Sequence, residues 1–403
     1  MIAPQPFFSP RGTPFSVLNR CRALAALGHE VDLVTYHLGE DVDVPNLRIL
    51  RAPRIPGVTS VKIGPSAAKV PLDAAVFART LLQLARRRYD VIHTHEEAGV
   101  FGWWLHRLAR AQHLYDMHSD LAQQLTNFGF GDRHPLVRFA KVIERRVLRS
   151  AAATIVICSD LQERAAAYAP GLSSVMIENA PLDPPLRPGA ADEWRRRFVP
   201  GGDPLVLYAG TLEPYQGVPL LVDAAAALAP LDDGRMPRVA IVGGRQDQIA
   251  ELGARTRALG IEERVTFLGS RPPAEMPACF AAADVLVSPR SSGTNTPLKI
   301  YSYLRSGRPI VATRLYTHTQ VLDDEVAVLV EPTAAGLSAG IQRVLTDGNL
   351  AVRLADAARR RAQDRYSAEA FVRLTAEVYS RVGGPPLTEV GLAAAVGALQ
   401  DGN

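Results

Sequence analysis

The chain has 403 residues, 47% of them hydrophobic and 21% charged, with a net charge of +4. That length is too great for one ordinary core and sets two domains as the expectation. No apolar run approaches the ~20 residues of a spanning helix, and the N-terminus Met1-Ile-Ala-Pro lacks the basic and apolar segments of a signal peptide. Cys21, Cys158 and Cys279 are too few and too scattered for a disulfide or metal framework and read as buried thiols in a reducing compartment. The charge is uneven: through Leu182 there are 21 Lys/Arg against 16 Asp/Glu, whereas the remainder is slightly acidic.

In chain order, Met1-Ile-Ala-Pro reads as the tail of a strand: the strand is truly short, or the native start lies upstream. A loop over 7–14 leads to a helix from Phe15 to Leu27, stopped by Gly28. Strands follow at Glu30–Thr35, Leu47–Arg51, Asp90–Thr94, Gln112–His118 and Ala153–Cys158, with an amphipathic helix over Ala75–Arg88. Alternating strands and helices imply a parallel, doubly wound sheet. The Pro-rich stretch 181–188 reads as a linker. The alternation then restarts with strands at Leu205–Tyr208, Arg238–Val242, Val265–Gly269, Asp284–Ser288 and Pro309–Thr313. A helix over 368–383 is expected to cross back onto the first domain. The expectation is therefore 1–182 plus that crossover as one Rossmann-like domain, 183–367 as a second, and 384–403 as a tail without regular order.

The densest signal is the loop Ser291-Ser-Gly-Thr-Asn-Thr-Pro-Leu298, which opens a helix at Lys299, with Ser306-Gly-Arg-Pro-Ile-Val-Ala-Thr313 beyond it. Strand, polar loop, helix N-terminus and Gly-Xaa-Pro form a crossover whose free amides suit a phosphate.

Taken in order, several segments resemble a family 4 glycosyltransferase of the GT-B fold. They are Leu24–Thr35, Tyr89-Asp-Val-Ile-His-Thr-His95, Val265–Pro272 through Ala283–Pro289, and Ser306–Ala312. The resemblance implies two Rossmann-like doubly wound α/β domains facing across a cleft, and transfer of a sugar from a nucleotide-sugar, with retention. It places His118 as the catalytic residue near the transferred sugar. It places Gly12, Gly210, Thr211, Gln216, Arg290, Thr294, Asn295, Thr296, Pro297, Leu298, Lys299 and Ser302 around the donor, with Glu213 at an acidic loop position. Thr13, Glu96 and Asp116 fall on the acceptor side. Glu96 and Glu97 read equally well as solvated loop carboxylates, and His93 and His95 as structural neighbours.

Four positions depart from the family. Thr211 and Gln216 stand where an Arg and a Lys usually bind the diphosphate, and Thr294 and Ser302 stand where paired glutamates are usual. A diphosphate still carries about two charges to be offset, so the reading assigns it to Lys299, Arg290 and the loop amides. A first-turn Lys opposes the helix dipole, which favours a functional reason for Lys299. No Asp-Xaa-Asp at a strand end suggests a metal, and no cofactor is expected.

The stretch Pro65–Arg88, with Lys69, Arg79 and Arg86-Arg-Arg88, and the basic face Arg145, Arg146 and Arg149 suit an anionic membrane as well as a solvated surface. The expected partners are a nucleotide-sugar donor and a glycan or lipid-linked acceptor, with peripheral membrane contact from the cytoplasmic side. Aromatics do not interleave with the charges, which argues against nucleic acid. An inert GT-B binding protein is the first alternative. A sugar-nucleotide epimerase, which would use Glu96, Glu97 or Glu213, is the second.

Overall fold

The computed structural model describes the chain except residues 10–11, 62–68, 128–130, 132, 181–185, 200, 294–295 and 402–403. It divides into one unit of Met1–Asn179 with Ala368–Asn403 and a second of Ala180–Ser367.

The first unit has seven parallel strands: β1 (Ile2–Ala3), β2 (Val31–Thr35), β3 (Leu47–Arg51), β4 (Val91–His95), β5 (Gln112–Met117), β6 (Ala153–Val156) and β7 (Ser174–Met176). Their order is β3-β2-β1-β4-β5-β6-β7. β1 is only two residues long but central, with Ile2 registered against Val34 on one side and Thr94 on the other. The second unit holds β8 (Leu205–Ala209), β9 (Arg238–Val242), β10 (Val265–Gly269), β11 (Val285–Ser288), β12 (Ile310–Thr313) and β13 (Val328–Val330), in the order β10-β9-β8-β11-β12-β13. The sequence reading omitted β7 and β13, three-residue edge strands too short to show a pattern.

Continuous apolar runs such as Leu205-Val-Leu-Tyr-Ala, buried throughout, are what a parallel sheet covered on both faces requires. In each sheet the strand order reverses once, between β1 and β4 and between β8 and β11. Ligands bind at the carboxyl ends of strands at such switch points.

Three expectations change. The first helix starts at Gly12, not Phe15, so Gly12 and Thr13 open it. The second helix runs Lys69–Arg86, one and a half turns earlier than expected. The tail is not without order: Glu389–Asp401 is a helix that packs on the helices Ala368–Ser380 and Gly12–Ala26, with Ala395 and Leu399 buried. Its Ala/Leu content, weak as a pattern, is enough once two helices supply the partner surface. The proposed linker at 181–188 lies largely outside the described residues.

Candidate functional site

In the first unit the site is built on β4 and β5. The two-residue period of a strand puts His93 and His95 on one face, where their rings stack 4.6 Å apart. Register sets Asp116 of β5 opposite His95. Asp116 Oδ2 lies 3.4 Å from His93 Nε2, 3.6 Å from His95 Nδ1 and 3.6 Å from Arg20 Nε. Its Oδ1 lies 3.0 Å from His118 Nε2. All five side chains are buried. The helix Ala368–Ser380 completes the cluster from one face: Phe371 stacks on the Arg20 guanidinium, Thr375 accepts a hydrogen bond from it at 2.7 Å, and the Tyr379 hydroxyl meets His93 Nδ1 at 2.8 Å.

Burial opposes every charge here, and proximity decides which survive. Burial pushes the Asp116 carboxyl up, but the neighbouring imidazoles, His118 above all, outweigh it and hold the group well below the carboxylate range. Burial lowers His118, yet Asp116 wins and raises it. Burial dominates at His93, which falls to about 4, and at His95. The cluster is thus a carboxylate, a guanidinium, an imidazolium-prone His118 and two neutral imidazoles. His93, His95 and Asp116 bring ligand-type atoms within 4.8 Å of one another, as a metal site would. The Arg20 cation, however, already lies against the same carboxylate oxygen.

In the second unit the site is the carboxyl end of β8. Gly210 adopts φ +151°, a conformation open to glycine, and a Cβ there would lie 2.8 Å from Lys299 Nζ. That ammonium sits 3.8 Å from the centroid of the Tyr208 ring and donates to Gln216 Oε1 at 3.2 Å. Tyr208 is fixed by donating to the Thr211 carbonyl at 2.6 Å. Burial, then the nearby Arg290, hold Lys299 well below the ordinary lysine range. Among the described residues no carboxylate pairs with it. The loops are locked together: Ser291 N–H donates to the Tyr215 carbonyl, and the Thr313 hydroxyl donates to the Arg290 carbonyl at 2.6 Å.

Two family profiles match this chain: "Glycosyl transferase 4-like domain" over residues 11–177 and "Glycosyl transferases group 1" over 191–361. The chain belongs to the family 4 glycosyltransferases. The match spans both units and both clusters. This glycosyltransferase is 29% identical to the D-inositol 3-phosphate glycosyltransferase of Corynebacterium glutamicum over 321 residues, 74% of each chain. It is 28% identical to the phosphatidyl-myo-inositol mannosyltransferase of Mycobacterium leprae over 350 residues, 86% of this chain and 85% of that one. Its fold is similar to that of the sucrose-phosphate synthase of Thermosynechococcus elongatus, with a TM-score of 0.75 at 22% identity, covering 94% of this chain and 96% of that one.

The residues singled out in this glycosyltransferase fall into three groups. Gly210, Gln216 and Lys299 come together, with Thr211 beside them. Pro297 and Leu298 lead into the helix Lys299–Arg305, where Ser302 is buried. Thr296 Oγ1 is buried without a hydrogen-bond partner among the described residues. Thr294 and Asn295 lie outside the described residues. That helix has seven residues, so its dipole is slight and the cationic side chain matters more than the helix end. Arg290 is turned onto its own loop, donating to the Ser292 carbonyl at 2.7 Å and stacking on Tyr215.

On the other sheet, Asp116 is 1% exposed, with Arg20 and three imidazoles within 3.6 Å of its two carboxylate oxygens. Glu96 begins a 3-10 turn with φ +48°, and burial and then Glu97 raise its carboxyl. Glu213 is held by Arg245 at 2.7 Å.

Sequence reasoning missed Arg20, Tyr208 and Tyr379. Arg20 had a signal: with Val17 and Leu24 it lies on the apolar stripe of its helix, where a charge needs a partner.

Proposed function

We propose that this glycosyltransferase moves a sugar from a nucleotide-sugar to an acceptor hydroxyl with retention, and that Lys299 holds the donor diphosphate. The observation that carries the reading is the enclosed Lys299 ammonium at the switch point of the second sheet, beside Gly210, with Gln216 and the Tyr208 ring as its partners and no carboxylate among the described residues. A desolvated, unpaired cation is costly unless an anion completes it. Lys299 thus takes over the position of the family's usual lysine, whose place Gln216 occupies and whose side-chain oxygen now orients the ammonium. The Thr296 hydroxyl supplies one further donor to phosphate oxygen.

In this reading His118, held by Asp116, contacts the transferred sugar and fixes its position. The anomeric carbon–oxygen bond to phosphate breaks, and the acceptor oxygen bonds on the same face. Its proton passes to the departing phosphate oxygen, so the protein contributes position and field. No metal is invoked, because Arg20 already balances Asp116. The relatives' names give an inositol phosphate and an inositol lipid as their acceptors. We carry this over as a polyol-phosphate or lipid-linked acceptor.

The test is nucleoside diphosphate release across a panel of nucleotide-sugars, with donor affinity measured for wild type and Lys299→Ala. Loss of one charge-assisted contact should weaken the donor about 10- to 100-fold. Equal affinity in the two proteins removes Lys299 from the site. Binding without release on every acceptor tried favours the inert binding protein.

A further inference from the structure

Two helices of the first unit present an outward surface that nothing among the described residues covers. In Gly99–Ala109, Trp104 and Leu108, four apart, are 66% and 69% exposed. In Pro135–Ser150, Leu136, Phe139 and Val142 repeat every third residue and are 50%, 62% and 41% exposed. The helices pack side by side, and the Arg146 guanidinium lies 5.6 Å above the Trp103 ring, joining the two outward faces. Trp103 in turn meets Trp104 edge-on at 5.6 Å. Single exposed apolar side chains are ordinary, but five on adjacent turns of two neighbouring helices form a patch that marks an interaction surface.

The charges on this surface have one sign. Arg107, Arg138, Arg145 and Arg149 lie exposed around the apolar residues. The two helices contain one acid, Glu144. It faces inward, buried, and accepts a hydrogen bond from the Tyr115 hydroxyl at 2.8 Å. Trp and Phe among guanidinium groups suit the boundary between lipid headgroups and acyl chains, where the ring enters and the cation stays with phosphate.

We propose that this two-helix face docks the enzyme on an anionic lipid bilayer, with Trp104 and Phe139 inserted and the arginines on headgroup phosphates. The benefit to the enzyme rests on the lipid-linked acceptor reading above, because docking would confine the enzyme to the surface that carries such an acceptor. The binding itself does not depend on that reading.

The full chain is mixed with phosphatidylglycerol-rich or pure phosphatidylcholine vesicles at low and high salt, and vesicle-bound protein is measured. Wild type should co-sediment with the anionic vesicles, lose that binding at high salt, and ignore the neutral ones. Its tryptophan emission should shift to the blue on binding, and Trp104→Phe should remove most of that shift while still co-sedimenting. Trp104→Glu with Phe139→Glu should abolish binding with an unchanged melting temperature. Arg138→Gln, Arg145→Gln and Arg149→Gln together should weaken it on the order of 100-fold, at about fivefold for each charge. Failure of wild type to bind anionic vesicles overturns the proposal, as does undiminished binding by the double Glu variant. A concentration-dependent dimer that the double Glu variant abolishes, without vesicle binding, assigns the face to a second copy and also overturns it. Because no sugar transfer is read, this assay can fail while diphosphate release stands, and the reverse.

Discussion

The two sheet edges solve the problem of buried charge in opposite ways. In the first unit every charge at the edge has a counter-charge: Asp116 answers Arg20 and His118, and the two other imidazoles stay neutral. In the second, Lys299 is enclosed with an amide oxygen and an aromatic face but no carboxylate among the described residues. A paired cluster holds a shape before anything binds, whereas an unpaired cation is stabilised by the anion it receives. The first edge is therefore built for positioning and the second for capture.

Acid should separate the two units most strongly. His93 and His113 in the first unit fall to about 4 and about 3, and His95 is lowered also; the second unit has His318 at about 4. Burial is the main cause each time. Since these folded values lie below 6.5, the unfolded chain binds more protons in between, and stability is lost as pH falls through that window. Each histidine should remove about 2 kcal/mol between roughly pH 6.5 and 4.5. His118 runs the other way: its raised value contributes stability at low pH that is lost as pH rises through it. Trp103 and Trp104 report the first unit and Trp194 the second. Single-tryptophan variants should show the first unit unfolding at milder acid, and the reverse order breaks the comparison.

Next in size is Asp116→Asn. Removing the shared counter-charge leaves Arg20 buried and unpaired, at about 3–5 kcal/mol by denaturant unfolding. A loss under ~0.5 kcal/mol would show that the first edge is not a charge network. The same measurement on Lys299→Met should show no loss of stability without nucleotide, because the cation has no counter-charge among the described residues to lose. The smallest effect sharpens the second edge. Gln216→Lys sets two ammonium groups side by side and should weaken donor binding about 10-fold, whereas adding Lys299→Gln should restore it. Failure of the double variant to recover would place the diphosphate elsewhere.

The sequence carried most strands at nearly their observed bounds because buried parallel strands read as apolar runs, as in Leu205–Ala209 and Val239–Val242. It also singled out Lys299, since a first-turn lysine conflicts with the helix dipole, and the fold sets that residue beside Gly210 and Gln216. What stayed hidden depends on distance along the chain. Arg20 meets Thr375 across 355 residues and His93 meets Tyr379 across 286, and no local period encodes such pairs. The neighbours of Asp116 and Arg290 stayed hidden likewise: residue type suggested a ligand contact, and the fold adds Arg20 beside Asp116 and the Tyr215 ring beside Arg290.

The helix Ala368–Ser380 closes the first unit's cluster, although the whole of the other unit precedes it in the chain. On a ribosome the order of emergence then matters. Ala180–Ser367 is one continuous segment and can fold as soon as it has left the exit tunnel. The unit begun by Met1 must wait, its Arg20 without Thr375 and its His93 without Tyr379, until nearly the whole polypeptide has been made. The part synthesised first is the part finished last, and during that interval it is the natural client of a chaperone.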